Sequence, residues 1–124
     1  GALAQSPFTE IVLPNLLKII DGNAFMNCQY LEKINFPEGL EYIGERAFWN
    51  CNSITDLTLD CPNLVIAGGA FSELRGLKTA NINAKDICES AVSNCKCLES
   101  ITLGDSVENI KYGAFGGNIC LTDF

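Results

Sequence analysis

The stretch Leu31–Ile54, LEKINFPEGLEYIGERAFWNCNSI, finds a counterpart in almost every other part of the chain. Its Ala47-Phe48 pair is preceded by Ala24-Phe25 and followed by Ala70-Phe71, Ala91-Val92 and Ala114-Phe115, at intervals of 23, 23, 21 and 23 residues. A fixed period in the twenties marks a solenoid, in which each unit is one coil that buries its apolar face against its neighbours.

Superposing the units gives columns of like residues. Four before each Ala stands an isoleucine: Ile20, Ile43, Ile66, Ile87 and Ile110. Beside the Ala column runs Phe25, Phe48, Phe71, Val92 and Phe115. Seven after the Ala come Leu31, Ile54, Leu77, Leu98 and Leu121, with Phe8 in the same register. Ten after it stand Ile11, Ile34, Leu57, Ala80, Ile101 and Phe124, and twelve after it Leu13, Phe36, Leu59, Ile82 and Leu103. These columns predict an interior in which each buried large aliphatic contributes about 1.5–3 kcal/mol. The pair at ten and twelve has a period of two, which predicts one short strand per coil; stacked coils set these side by side as a parallel sheet about 4.8 Å apart. Pro14 and Pro37 close the first two strands, since proline lacks the amide that would extend a ladder. Where Gly44 stands the other units carry Asp21, Ala67, Cys88 and Lys111, so no left-handed backbone is demanded there. The Ala-Phe segment is expected to be a turn or a short 3₁₀ helix.

The unit from Ala70 to Ile87 departs most, with Ala80 small in its strand, Leu74 in place of Cys and a return loop two residues shorter than the others; looser packing is expected there. GALAQSP is too short for a convincing N-terminal cap, and the sequence stops inside a repeat, at the strand position of Phe124. Solenoid ends need polar caps, so the expectation is one domain over residues 1–124, cut from a longer array, with end-to-end self-association as the other way to cover an open end.

The pattern LxxIxxPxxLxxIGxxAFxxCxxL, nearly whole in 31–54, resembles the BspA-like leucine-rich repeat proteins, and the resemblance runs from Phe8 to Phe124. It implies a leucine-rich repeat right-handed superhelix of about five coils of 21–23 residues, on a surface or secreted protein. It also implies adhesion to host matrix or other proteins, without enzymatic activity. Leu74 and Asn118 where Cys is expected, and Val92 where Phe is, are the departures.

The chain has 124 residues, 48% of them hydrophobic and 19% charged, and a net charge of −7. That is enough apolar content for a packed core and argues against disorder. The acidic balance disfavours nucleic acid and anionic membrane; a basic protein is the partner it would suit. No apolar run is long enough for a spanning helix. GALAQSPF carries no signal-peptide pattern.

Seven cysteines and no histidine exclude the Ser–His and Cys–His systems, and there is no CxxC pair for zinc. Cys28, Cys51 and Cys95 share a column, each after an Asn (Asn27, Asn50, Asn94) suited to bonding loop backbone. Buried reduced thiols are expected there. Cys61, Cys88, Cys97 and Cys120 lie off the column and are expected to be partly exposed. No phosphate-cradling or nucleophile-elbow string occurs. Glu32, Glu38, Glu41 and Glu45 have no acidic counterparts in most repeats, as for a solvated face. Clustered acids of a carbohydrate-active parallel β-helix, the alternative from another class, are missing, and no metal, cofactor or catalytic residue is assigned.

Binding is better supported. Residues between the inward strand positions point outward, in one stripe of Val12, Asn35, Thr58, Asn81 and Thr102 and a second of Glu10, Lys33, Asp56, Thr79 and Ser100. They vary from unit to unit while the interior columns do not. A rigid scaffold with variable outward side chains suits a protein partner, with a glycan as the other ligand class; small polar residues also simply favour exposed strands. Trp49 and Tyr30 form a second candidate patch. The expected location is the cell surface or outside, with an intracellular scaffold in the cytoplasm as the alternative.

Overall fold

The computed structural model describes residues 3–121. Ten short strands follow one another: β1 (Glu10–Val12), β2 (Ile19–Ile20), β3 (Lys33–Asn35), β4 (Tyr42–Ile43), β5 (Asp56–Asp60), β6 (Val65–Ile66), β7 (Thr79–Asn83), β8 (Asp86–Ile87), β9 (Ser100–Leu103) and β10 (Asn109–Ile110). All pairing is parallel. The even strands make one five-stranded sheet in the order β2-β4-β6-β8-β10, whereas the odd strands fall into a pair, β1-β3, and a three-stranded sheet, β5-β7-β9. Each rung thus carries two strands, and the five rungs make about four turns of a solenoid.

The registers are those of the sequence columns. Ile11 lies opposite Ile34, and Leu57 and Leu59 opposite Ala80 and Ile82, which face Ile101 and Leu103. The even sheet aligns Ile20, Ile43, Ile66, Ile87 and Ile110 on one line. This second sheet goes beyond the single strand per coil that the period-two signal predicts; its strands are too short for two residues to alternate visibly, although β-branched Ile in every copy favours the extended backbone.

The third side of each coil carries the Ala-Phe segment, and the described residues there are turns rather than 3₁₀ helix. Alternate amides explain why. The amide of Phe25 donates to Ala47 O (2.7 Å), that of Phe48 to Ala70 O (2.8 Å), that of Phe71 to Ala91 O (2.8 Å) and that of Val92 to Ala114 O (2.9 Å). The intervening amides close turns within the coil, as in Met26 N to Asn23 O. Every second amide is spent on the next coil, so no helical run develops. Two residues per turn pass through the left-handed region. One column, just before the Ala, is Asn23, Arg46, Gly69, Ser90 and Gly113; the other, three after it, is Gln5, Asn27, Asn50, Glu73, Asn94 and Gly117. Gly44 has ordinary φ, as expected, and is needed for space instead: a Cβ there would fall 2.3 Å from the Gly22 amide nitrogen.

A single hydrophobic core runs through the stack. At its centre Phe25, Phe48 and Phe71 stack face to face, with centroids 5.0 and 5.2 Å apart, and Phe36 meets Phe48 and Phe71 edge-on at 5.7 and 6.0 Å. Ile20, Ile43, Ile66 and Ile87 are buried, but Ile110 is 45% exposed, because no further coil covers it among the described residues. Phe8 is likewise 51% exposed rather than interior. Phe124 lies outside the described residues.

A further expectation is corrected. The coil from Ala70 to Ile87 is not loose: Phe71, Leu74, Leu77, Ala80, Ile82 and Ile87 are all fully buried, and β7 pairs on both sides, the small Ala80 fitting between Leu57 and Ile101. The opening lies one coil earlier, between β3 and β5, where every Cα of one strand is more than 8 Å from every Cα of the other. The short N-terminal segment, from Leu3 on, bonds to the first full coil. Leu3 N donates to Ala24 O (3.2 Å) and Gln5 N to Met26 O (3.0 Å), which extends the turn ladder by one more coil.

Candidate binding face

The odd strands carry the outward stripes in the expected alignment: Glu10 beside Lys33, Val12 beside Asn35, Asp56 beside Thr79 and Ser100, Thr58 beside Asn81 and Thr102. Val12 (77% exposed), Lys33, Asn35, Asp56, Thr58, Asn81 and Thr102 are open to solvent, while Thr79 and Ser100 are half-buried. The face is split by the break between β3 and β5, so Lys33 and Asn35 are not contiguous with Asp56 and Thr58 as an unbroken sheet would make them.

Not every stripe residue is free to meet a partner. Asn35 folds onto Leu13, its Oδ1 accepting from Leu13 N (2.6 Å) and its Nδ2 donating to Leu13 O (3.1 Å), so it extends the β1-β3 ladder with side-chain atoms. The Asp56 carboxylate accepts from Thr79 Oγ1 (2.5 Å). At the strand ends Asn83 Nδ2 donates to Asp60 Oδ1 (3.0 Å) and Asn83 Oδ1 accepts from Ser106 N (2.8 Å). Thr58, Asn81 and Thr102 remain as an exposed, aligned row of short polar side chains.

A groove of about 830 Å³ opens between the even sheet and the Ala-Phe turns, lined by Trp49, Tyr42, Arg46, Glu73, Glu89 and Lys111 among others. Its floor is made of small residues, Gly68, Gly69 and a serine pair. Ser72 and Ser93 Oγ lie 2.7 Å apart and both donate to Ser90 O, at 2.7 and 3.0 Å. Sequence reasoning missed this hollow; its signal was the run of glycine and serine at the turns of two successive coils. Trp49 belongs to the groove, whereas Tyr30 stands apart and exposed, so the two do not form one patch.

All seven cysteines are free thiols. Cys28, Cys51 and Cys95 are buried, each donating to a carbonyl of the preceding coil: Leu3 O (3.1 Å), Phe25 O (3.1 Å) and Phe71 O (3.3 Å). Asn118 does the same work in its coil, Nδ2 reaching Val92 O at 3.0 Å. Burial pushes the Cys51 thiol up to about 12 and that of Cys95 up to about 11. Cys61, expected to be partly exposed, is buried on Pro37 O (3.3 Å), and burial raises its thiol to about 11. Cys97 and Cys120 are exposed and Cys88 is half-buried, as expected. Among the described residues no three His, Cys, Asp or Glu side chains are grouped to hold a metal ion, and no helix is long and apolar enough to cross a membrane.

A model of the BspA type leucine rich repeat region matches residues 1–122 in six copies. The solved leucine rich repeat protein of T. pallidum is similar at 30% identity and a TM-score of 0.76, over 89% of this chain and 52% of that one. A leucine-rich repeat protein from Bacteroides ovatus is similar at 27% identity and a TM-score of 0.69, over 92% of this chain and 36% of that one. Among curated proteins, lumican from Homo sapiens is 35% identical over 86 residues, which are 67% of this chain and 25% of lumican. The chain therefore spans about a quarter of the curated relatives it matches and about half or less of these solved chains.

Proposed function

The chain belongs to the BspA type leucine rich repeat family, and from that membership we propose that it is a non-enzymatic, protein-binding adhesion module of a cell-surface or secreted protein, with residues 1–124 forming one repeat domain of a longer array. Leucine-rich repeat proteins generally act as interaction modules, a role that suits a stack whose coils are fixed by their interior and free to vary outside. One observation carries the proposal: inward columns hold the same residue types from rung to rung, while the aligned outward residues Val12, Lys33, Asn35, Asp56, Thr58, Thr79, Asn81, Ser100 and Thr102 change at almost every step. The net charge of −7 favours a basic partner, and five rungs make a short contact surface, so repetition across a longer parent protein would add avidity.

The test is a panel of purified matrix and surface proteins presented to the immobilised chain, wild type and with Thr58→Lys, Asn81→Lys and Thr102→Lys combined. Saturable binding weakened by about tenfold or more in the triple variant, at unchanged melting temperature, is expected. No binding across the panel, or equal affinity of the triple variant, would sink the proposal.

A further inference from the structure

The odd-strand sheet is interrupted between β3 and β5, which do not pair with each other. Neighbouring strands lie about 4.8 Å apart, so a vacancy for one strand separates its flanks by about 9.6 Å; β3 and β5 are separated by more than 8 Å throughout. The coils on either side stay closed elsewhere. Ser53 Oγ donates to Gln29 O at 2.5 Å before the opening, Cys61 Sγ to Pro37 O at 3.3 Å after it, and β4 remains paired with β6. The result is a slot of about 320 Å³ lined by apolar Ile34, Phe36 and Ile54 together with Glu32, Lys33, Asp56 and Thr58.

Both walls of the slot are strand edges. In a parallel ladder, alternate residues direct their amide and carbonyl to one neighbour. β5 bonds β7 through Thr55 O and the groups of Leu57 and Leu59, which leaves those of Asp56 and Thr58 facing the slot. β3 bonds β1 through Lys33 and Asn35, which leaves Ile34 N and O facing the slot from the other side. Phe36 stands at the opening: it is the aromatic in a column of Leu13, Leu59, Ile82 and Leu103, and its ring spans two rungs by meeting both Phe48 and Phe71.

We propose that this slot receives an extended segment of the partner protein, which hydrogen-bonds to both edges and joins β1-β3 to β5-β7-β9 as one continuous sheet. The proposal rests on the protein-binding role above and adds the mode of binding. The segment it fits is neutral to basic, since Glu32 and Asp56 outnumber Lys33 at the rim, with apolar residues at alternate positions to cover Phe36 and Ile54.

The experiment titrates the isotope-labelled chain with a capped synthetic peptide, Lys-Thr-Ala-Asn-Ile-Asn-Ala, copied from residues 78–84, and follows backbone amides by NMR. Saturable shifts at Ile34, Asp56 and Thr58 are expected, and they vanish when alternate peptide amides are N-methylated. Phe36→Leu should close the slot, protect those three amides without peptide and abolish the response. Thr58→Pro, which removes one slot-facing donor while sparing the bonds to β7, should abolish it as well, and serves if Phe36→Leu fails to fold. Absence of shifts at millimolar peptide, an equal response to the N-methylated peptide, or shifts confined to the outer edges at β1 or β9 would overturn the proposal. Partner binding through Thr58, Asn81 and Thr102 side chains would survive such a result, because the lysine triple variant reads it independently on whole proteins.

Discussion

The Cys51 thiol sits 3.1 Å from the carbonyl oxygen of Phe25, one full coil back in the stack. The bond joins the cysteine column to the aromatic column at a carbonyl that also accepts the Cys28 amide within its own turn (3.2 Å). The same link recurs from Cys28, from Cys95 and, through an amide, from Asn118, so the column requires a small donor rather than sulfur itself. Leu74, which has no donor, fills the position with apolar bulk alone.

Thiol reactivity should follow this burial. In native protein at neutral pH, a thiol reagent should label Cys97 and Cys120 quickly and Cys88 more slowly. Cys28, Cys51, Cys61 and Cys95 should react only after unfolding. Mass-resolved labelling with and without denaturant is the check; rapid native labelling of Cys51 would contradict the buried column.

Alkaline stability follows from the same groups. Cys51, Cys61 and Cys95 have thiols raised from 9.0 to about 12, 11 and 11. The folded chain holds these protons more tightly than the unfolded chain, so their contribution is intact below pH 9. It is lost progressively as pH climbs from 9 towards 11 and 12, by about 1.4 kcal/mol per pH unit for each thiol. Urea midpoints should therefore be flat with respect to these groups below pH 9 and fall above it, and Cys51→Ser should shallow the fall.

Phe48 is the central ring, stacked on Phe25 and Phe71 and touched edge-on by Phe36. Phe48→Ala should destabilise by about 3–5 kcal/mol, since a cavity bounded by rings fixed in other coils collapses poorly. Phe48→Leu should cost less. Denaturant melts monitored by Trp49 fluorescence would report both.

The left-handed columns mix residues of unequal fitness. Glu73, at φ 62°, shares its column with Gly117, and Gly69, at φ 70°, shares its own with Arg46. Glu73→Gly should stabilise by about 0.5–1 kcal/mol by relieving a left-handed side-chain clash, and Gly69→Ala should cost about 1 kcal/mol. Thermal melts that moved both variants in one direction would contradict this.

Asn35 and Asn81 occupy equivalent outward positions but have different tasks. Asn35→Ala should cost about 1–2 kcal/mol because it removes both bonds to the Leu13 backbone, whereas Asn81→Ala should change stability by less than about 0.5 kcal/mol. A partner-binding loss on mutating Asn81 alone then reports contact rather than folding.

The coil repeat, the buried columns and the alignment of Thr58 with Asn81 and Thr102 were legible from residues 31–54 and their echoes, because side chains that must stack on their own kind keep one identity per position. The family pattern was legible for the same reason. The Leu3 coil escaped notice because Ala2-Leu3 lacks the aromatic that marks the other pairs. The even sheet escaped because two-residue strands leave no alternation to read. Cys61 looked solvent-facing only because it stands outside the repeated thiol column; its burial comes from the Pro37 carbonyl of another coil.

The sequence by itself determined the length of each coil, most of the side chains that face inward and the order of the rungs, since all three follow from a period that repeats along the chain. Only the tertiary structure decided that Asn35 turns back on Leu13, that glycines and serines of two coils meet in one groove, and that the sheet opens beside Phe36. Those depend on how a ring or an amide in one coil meets atoms more than twenty residues away, and a column of letters records the neighbours without recording the space between them.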